Sequence, residues 1–174
     1  MCPREVLDIE LEHMDWDKFV TVVNKLKEQE NITLTGWGEP FLHPRIFDMI
    51  AYCKERGHRV MITSNGLFSK ESIAKEILNS GLDEITFSID GVEDNNVSNG
   101  HTSNKVYENI EKVARLRETG RPSIRLQATL HEECEKDLYN VIRFAERIGV
   151  EAVNVGRIDR KYAPELKRPS PVEE

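Results

Sequence analysis

The chain has 174 residues, 39% of them hydrophobic and 32% charged, with a formal net charge of −7. That length supports one domain with a core of its own, the acidic balance argues against a nucleic-acid backbone as main partner, and no apolar run is long enough to cross a bilayer. The opening MCPREVLDIE lacks the apolar stretch of a secretory signal, which points to the cytoplasm, and three cysteines (Cys2, Cys53 and Cys134) are too few and too scattered for a disulfide framework.

In chain order, apolar spacing predicts a helix over DWDKFVTVVNKLKEQ, residues 15–29, with Trp16 and Phe19 as core. NITLTG (31–36) reads as a strand and PRIFDMIAYCKERG (44–57) as a helix, with Pro44 in the first turn, where its missing N–H has no partner to lose. HRVMITSNG (58–66) is a strand, SKESIAKEILNSG (69–81) a helix and LDEITFSIDG (82–91) a strand. NKVYENIEKVARLRETG (104–120) is a helix with Val106, Ile110 and Val113 on one face, and SIRLQATL (123–130) is a strand. EKDLYNVIRFAERIG (135–149) is a helix whose apolar face reads Leu138, Ile142, Ala145 and Ile148, and EAVNVGRI (151–158) closes the series as a strand.

Four helices end in glycine, at Gly57, Gly81, Gly120 and Gly149, the residue that takes a left-handed C′ conformation without a Cβ clash. Strands alternating with helices predict an α/β fold with parallel strands and right-handed crossovers. The series begins with a helix, so the first strand of a complete (β/α) series is expected to be missing from this chain. Residues 1–158 are expected to form the core domain. The tail DRKYAPELKRPSPVEE (159–174), with three prolines and much charge, reads as an exit linker.

In barrels and open sheets of this class, ligands bind at the carboxyl ends of the strands. The unusual polar residues gather there: Gly36-Trp37-Gly38-Glu39-Pro40, Thr63-Ser64-Asn65-Gly66, Ser88-Ile89-Asp90-Gly91, then Gln127 and Thr129, then Asn154, Gly156 and Arg157. Turns favour Gly, Asn, Ser and Asp for local reasons alone, but five such strand ends together point to a binding face. A carboxylate at Glu39 suits a ligand ammonium. Ser88 and Asp90 suit hydroxyls, as acidic residues do with ribose, and the Asn65 amide suits a carboxylate. Ammonium, ribose and carboxylate are all parts of S-adenosylmethionine. Local alternatives stay open: an Asx-turn at Asp90, and a buried Ser64 hydroxyl satisfied by backbone.

GWGEP, TSNG and SIDG, in that order on successive strand ends, resemble the core of the radical SAM superfamily, over about Met1 to Arg157. The resemblance implies a partial (β/α)6 TIM-like barrel and two cofactors, a [4Fe–4S] cluster and S-adenosylmethionine. It implies that the opening MCPRE is the end of a CxxxCxxC motif, with Cys2 as third cluster cysteine and the other two upstream of Met1. This chain alone is then expected to be inactive. Cys53 shares an apolar helix face with Ile46 and Ile50 and reads as core. Cys134 sits among Glu132, Glu133 and Glu135, whose charge keeps its thiol protonated.

By the same resemblance, Glu39 and the Gly38 backbone bind the methionyl ammonium, and Ser64 and Asn65 lie near the methionyl moiety. Ser88 and Asp90 face the ribose, and the strand Val153 to Gly156 lines the adenine. The cofactor-contacting set is completed by Gly36, Trp37, Pro40, Thr63, Gln127, Val155 and Gly156. Trp37 replaces a second glycine of the common motif. No arginine follows the SIDG turn, so Arg125, Arg157 or Gln127 is the candidate partner of the cofactor carboxylate. The reaction implied is one-electron reduction of the sulfonium by the cluster, with the resulting 5′-deoxyadenosyl radical taking a hydrogen from an unidentified small-molecule or peptide substrate. A low-potential donor of ferredoxin or flavodoxin type is the implied partner. The alternatives are a non-enzymatic SAM- or nucleotide-binding module, and an aldolase-type barrel. The latter needs a strand-end lysine, whereas Lys54, Lys105 and Lys112 fall on helices or loops. His43 reads as a cap of the following helix rather than a site residue, and His101 as part of a polar loop.

Overall fold

The computed structural model describes residues 12–28, 30–68, 72–89, 104–118, 120–130 and 137–157. Its elements run α1 (Trp16–Val23), β1 (Asn31–Thr33), a 3₁₀ turn (Pro40–Leu42), α2 (Ile46–Glu55), β2 (Arg59–Ser64), α3 (Ile73–Asn79), β3 (Glu84–Ser88), α4 (Asn104–Leu116), β4 (Ser123–Leu130), α5 (Asp137–Ile148) and β5 (Ala152–Arg157). The strands form one parallel sheet in the order β1-β2-β3-β4-β5. Right-handed crossovers that always step the same way leave their helices on one face, which is the arrangement of a partial barrel. The α/β, all-parallel expectation is met. The exit linker lies outside the described residues, as do residues 1–11 with Cys2, and Asp90, His101 and Cys134, so the expected absence of a first strand is not tested by them.

Alternation along each strand separates two unlike faces. Val60, Ile62, Ile85, Phe87, Ile89, Ile124, Leu126 and Ala128 are buried and face the helices. They meet Ile46, Met49, Ile50 and Cys53 of α2, Ile73, Ala74 and Ile77 of α3, Val106, Ile110 and Val113 of α4, and Val141, Phe144 and Ala145 of α5. Burying each large aliphatic side chain contributes about 1.5–3 kcal/mol. The other face carries the rows Met61–Glu84–Ser123, Thr63–Thr86–Arg125–Ala152 and Ser88–Gln127–Asn154, which the register sets side by side. None of these residues is buried.

Two expectations change in detail. The first helix stops at Val23 instead of running to residue 29, because the next amides of Lys25 and Leu26 bond to carbonyls three residues back. At that point Asn24 Oδ1 accepts from Tyr52 Oη at 2.9 Å and from Arg56 Nε at 3.2 Å, tying the helix end to α2. On α5, burial falls on Val141, Phe144 and Ala145, while Ile142 is 38% exposed. The Phe144 ring meets Tyr107 of α4 edge to face at 5.1 Å, so Phe144 takes the inward place expected of Ile142. The four glycine stops hold as read, with φ of 77°, 78°, 71° and 70° at Gly57, Gly81, Gly120 and Gly149.

Candidate functional site at the strand carboxyl ends

Parallel strands bring all five carboxyl ends to one edge, about 19 Å across at about 4.8 Å per gap. The first ligand-facing segment leaves β1 at Thr33. Leu34 N still donates to Met61 O at 2.8 Å, and the chain then peels away through Gly36, Trp37 and Gly38. A Cβ built on Gly36 or on Gly38 meets nothing within 4 Å, and neither residue is left-handed. Trp37 between them is 52% exposed.

Glu39 then caps the 3₁₀ turn, its Oε1 accepting from Phe41 N at 3.2 Å. Pro40 fits the first position of that turn because its missing N–H is not needed there. Oε1 also accepts from Ser64 Oγ at 2.9 Å, and Oε2 accepts from Asn65 N at 2.7 Å. The carboxylate is thus a clasp between the ends of β1 and β2. With about four acceptor sites on a carboxylate, little capacity is left for a ligand, and what remains is on Oε2. Burial pushes the Glu39 carboxyl above its ordinary range, against the lowering effect of the Asn65, Phe41 and Ser64 hydrogen bonds.

The β2 turn is fixed rather than loose. Ser64 is 2% exposed, and its hydroxyl donates to Glu39 and accepts from Gly66 N at 3.0 Å. The Ser64 hydroxyl is therefore a satisfied internal donor, its partner being a side chain and not the backbone. Asn65 Oδ1 accepts from Leu67 N at 2.8 Å, an Asx-turn that leaves its Nδ2 donors toward the exposed side. Gly66 has φ of 72°, and a Cβ there would lie 3.0 Å from Val106 Cγ1. Its carbonyl accepts from Asn109 Nδ2 at 2.9 Å. Sequence reasoning missed Asn109, because nothing in its position on α4 distinguishes it from a solvated helix residue.

Further along the edge, Ser88, Gln127 and Asn154 stand side by side on the polar face. Ile89 N donates to Gln127 O at 2.9 Å, so β3 and β4 stay joined up to the rim. Gly156 lies close to Gln127, since a Cβ there would be 3.3 Å from Gln127 Nε2. Val155 pairs with Ala128, so its side chain takes the helix-side face, and only its backbone borders the same edge as Gly156. Thr63 shares its row with Thr86 and Arg125 on the polar face.

Arg125 leans the other way. Its Nε is 3.2 Å from Glu84 Oε1, near enough to pair but off-line for a hydrogen bond, and Glu84 Oε2 receives Arg59 at 3.0 Å. Glu84 lies two residues nearer the amino ends of the strands, so this pair closes the floor of the sheet and draws Arg125 from the rim. The side chain of Arg157 is outside the described residues. His43 also turns from the rim. Nδ1 accepts from Arg45 N at 3.1 Å ahead of α2, so Nε2 carries the proton and donates to Met14 O at 3.1 Å. It closes the 3₁₀ turn and is not the cap of α2 that the sequence suggested: the N-cap of α2 is Arg45, which has no side-chain cap bond.

A hollow of about 540 Å³ opens at the opposite edge, lined by Lys54, His58, Arg59, Asp83, Arg121 and Ser123 among others. That end of such a sheet serves stability, and its charged groups are engaged there, while the buried Nδ1 of His58 has no hydrogen-bond partner among the described residues. Asp83 Oδ2 accepts from Lys54 Nζ at 2.6 Å and from Val60 N at 2.8 Å, and Arg121 lies 3.4 Å from Oδ1. Burial works to raise the Asp83 carboxyl, but the Lys54 and Val60 bonds and the Lys54 and Arg121 charges together hold it below its usual range.

Comparison with known proteins agrees with this geometry. The model of the Radical SAM superfamily matches residues 1–145. A tungsten-containing aldehyde ferredoxin oxidoreductase cofactor-modifying protein from Pyrococcus furiosus is 32% identical over 167 residues, covering 91% of this chain and 47% of that protein. The Fe-coproporphyrin III synthase of Methanosarcina barkeri is 27% identical over 97 residues, covering 55% of this chain and 24% of that one. The chain therefore spans about half or less of the curated relatives it matches. Among solved structures, Streptococcus suis SuiB bound to S-adenosylmethionine superposes with a TM-score of 0.60 at 14% identity, over 74% of this chain and 30% of SuiB, a likeness of fold.

Proposed function

The chain belongs to the radical SAM superfamily, and from that premise we propose that its strand-end rim binds S-adenosylmethionine, as part of an enzyme directing radical chemistry at a hydrogen of a substrate. The observation that carries the reading is the pair Gly36 and Gly38. Neither has a conformation that demands glycine, and neither has a neighbour that forbids a Cβ. The fold by itself has no use for two glycines there, whereas a ligand lying against the backbone does.

S-adenosylmethionine fits the groups that remain available. The Gly38 backbone and the open side of Glu39 Oε2 would receive the ammonium, and the Asn65 amide the carboxylate. Ser88 and Gln127 would face the ribose, and the backbone at Val155 and Gly156 would border the adenine. When bound, this cofactor supplies the reactive 5′ carbon; the chain positions it and excludes water. Ser64 acts behind this surface by holding Glu39.

A [4Fe–4S] cluster does not fit the described residues. They contain no group of three His, Cys, Asp or Glu side chains placed to hold a metal. Cys53 is fully buried, and burial pushes its thiol up to about 11 against a lowering charge from Arg56. Cluster binding through Cys2, and a ferredoxin- or flavodoxin-type electron donor, belong to the proposal for the whole protein. One relative is named for modifying a cofactor, so a cofactor precursor is the substrate class to test first. Calorimetry with S-adenosylmethionine tests the core of the reading: saturable one-to-one binding, lost in a Gly38→Val variant that still folds, is expected. Undiminished binding by Gly38→Val would remove it.

A further inference from the structure

We propose that Trp37 recognises the positive charge of the ligand's sulfonium through its indole face, so that this rim distinguishes a sulfonium from the neutral thioether left when its methyl is lost. The inference rests on the reading that S-adenosylmethionine binds here and adds the group that selects its charged form.

Three observations lead to it. Trp37 is 52% exposed at the strand edge, flanked by two glycines with open space beside each, so its indole is accessible to a ligand lying along that backbone. Its ring also lacks the partners that other rings have. Arg45 lies 3.7 Å over Trp16, Arg56 lies 3.3 Å over Tyr52 and Arg147 lies 5.2 Å over Phe144. Among the described residues, no such cation and no second ring meets Trp37. Finally, the nearby carboxylate is largely committed, since Glu39 accepts from Phe41 N, Ser64 Oγ and Asn65 N. What it keeps open suffices for an ammonium. A second positive centre on the same ligand needs another partner, and the remaining described rim residues Ser88, Gln127 and Asn154 are neutral. An electron-rich indole attracts such a cation without a formal charge.

The test measures affinities of the full chain for S-adenosylmethionine and S-adenosylhomocysteine by calorimetry, unsubstituted and as Trp37→Phe and Trp37→Leu. Both ligands keep the ammonium, so Glu39 cancels from their ratio. The expected result is a preference for the sulfonium that falls by about 3- to 30-fold in Trp37→Leu and is largely kept in Trp37→Phe. A ratio unchanged in Trp37→Leu, including equal loss of both ligands, overturns the inference while leaving the proposed function standing. Failure of the unsubstituted chain to bind either ligand overturns both. In a Trp16→Phe background Trp37 is the sole tryptophan, and its emission should be quenched by the sulfonium more than by the thioether at saturation; equal quenching counts against the proposal.

Discussion

Glu39 has two jobs that pull against each other. As a clasp it accepts three hydrogen bonds and is drawn into the protein; as a ligand group it must stay charged and reachable. Burial raises its carboxyl above the ordinary range, so the stability its neutral form carries is lost as pH rises through that raised value, and ionisation costs a little at neutral pH. Affinity for a cationic ligand follows the ionised form, so it should begin to fall on acidification earlier than for an exposed glutamate; a titration of S-adenosylmethionine affinity against pH checks this. Glu39→Ala orphans the Ser64 hydroxyl and the Asn65 amide, and should lower stability by about 1–3 kcal/mol as well as abolish binding, measured by denaturant melts and calorimetry. Asp83 has the opposite sign. Its carboxyl is held below the usual range, so its contribution is present above the unfolded-state value near 3.9 and is lost as pH falls through the folded value. Asp83→Asn should cost about 1–3 kcal/mol at neutral pH, and melts in acid should show the gap to the unsubstituted chain closing.

At the scale of elements, the turn after β2 is the best-held part of the rim. Gly66 is left-handed, packs against Val106, and is tied to α4 by Asn109. Gly66→Ala should cost about 1–3 kcal/mol through backbone strain and should weaken ligand binding more than an equally destabilising core change such as Ile110→Val, a comparison that separates turn geometry from global stability. The helix stops at glycine and the strand SIRLQATL were legible because each is coded by a few adjacent residues. The early end of α1 was not, since the partners of Asn24 come from α2. Nor was the buried face of α5, since its Phe144 packs against Tyr107 of α4. The strand sequences EITFSI and SIRLQATL also alternate apolar and polar residues, a pattern left unread in the sequence that matches a sheet with one face uncovered by helices.

For the molecule as a whole, the sheet separates a charged amino edge from a polar carboxyl edge. The amino edge spends its charges on itself, in Asp83 with Lys54 and Arg121, and in Glu84 with Arg59 and Arg125. The carboxyl edge keeps polar groups in reserve. Cluster chemistry does not follow from this chain alone, and anaerobic reconstitution should leave it without a stoichiometric cubane signal by iron analysis and electron paramagnetic resonance. A full complement of four irons per chain would contradict the ligand count. Among the described residues no helix is long and apolar enough to cross a membrane.

By itself the amino-acid order determined where the four glycine-ended helices stop, and, through the alternation of strands with helices, that five parallel strand ends would share one edge. Those properties depend on periodicity and on glycine stereochemistry, both local. The tertiary structure alone decided which rim groups are free. Glu39 meets Ser64 and Asn65 from 25 and 26 residues away, and Arg125 is drawn to the floor by Glu84. A hydrogen bond is satisfied by whichever partner the fold brings within 3 Å or so, and no local pattern in the chain specifies that partner.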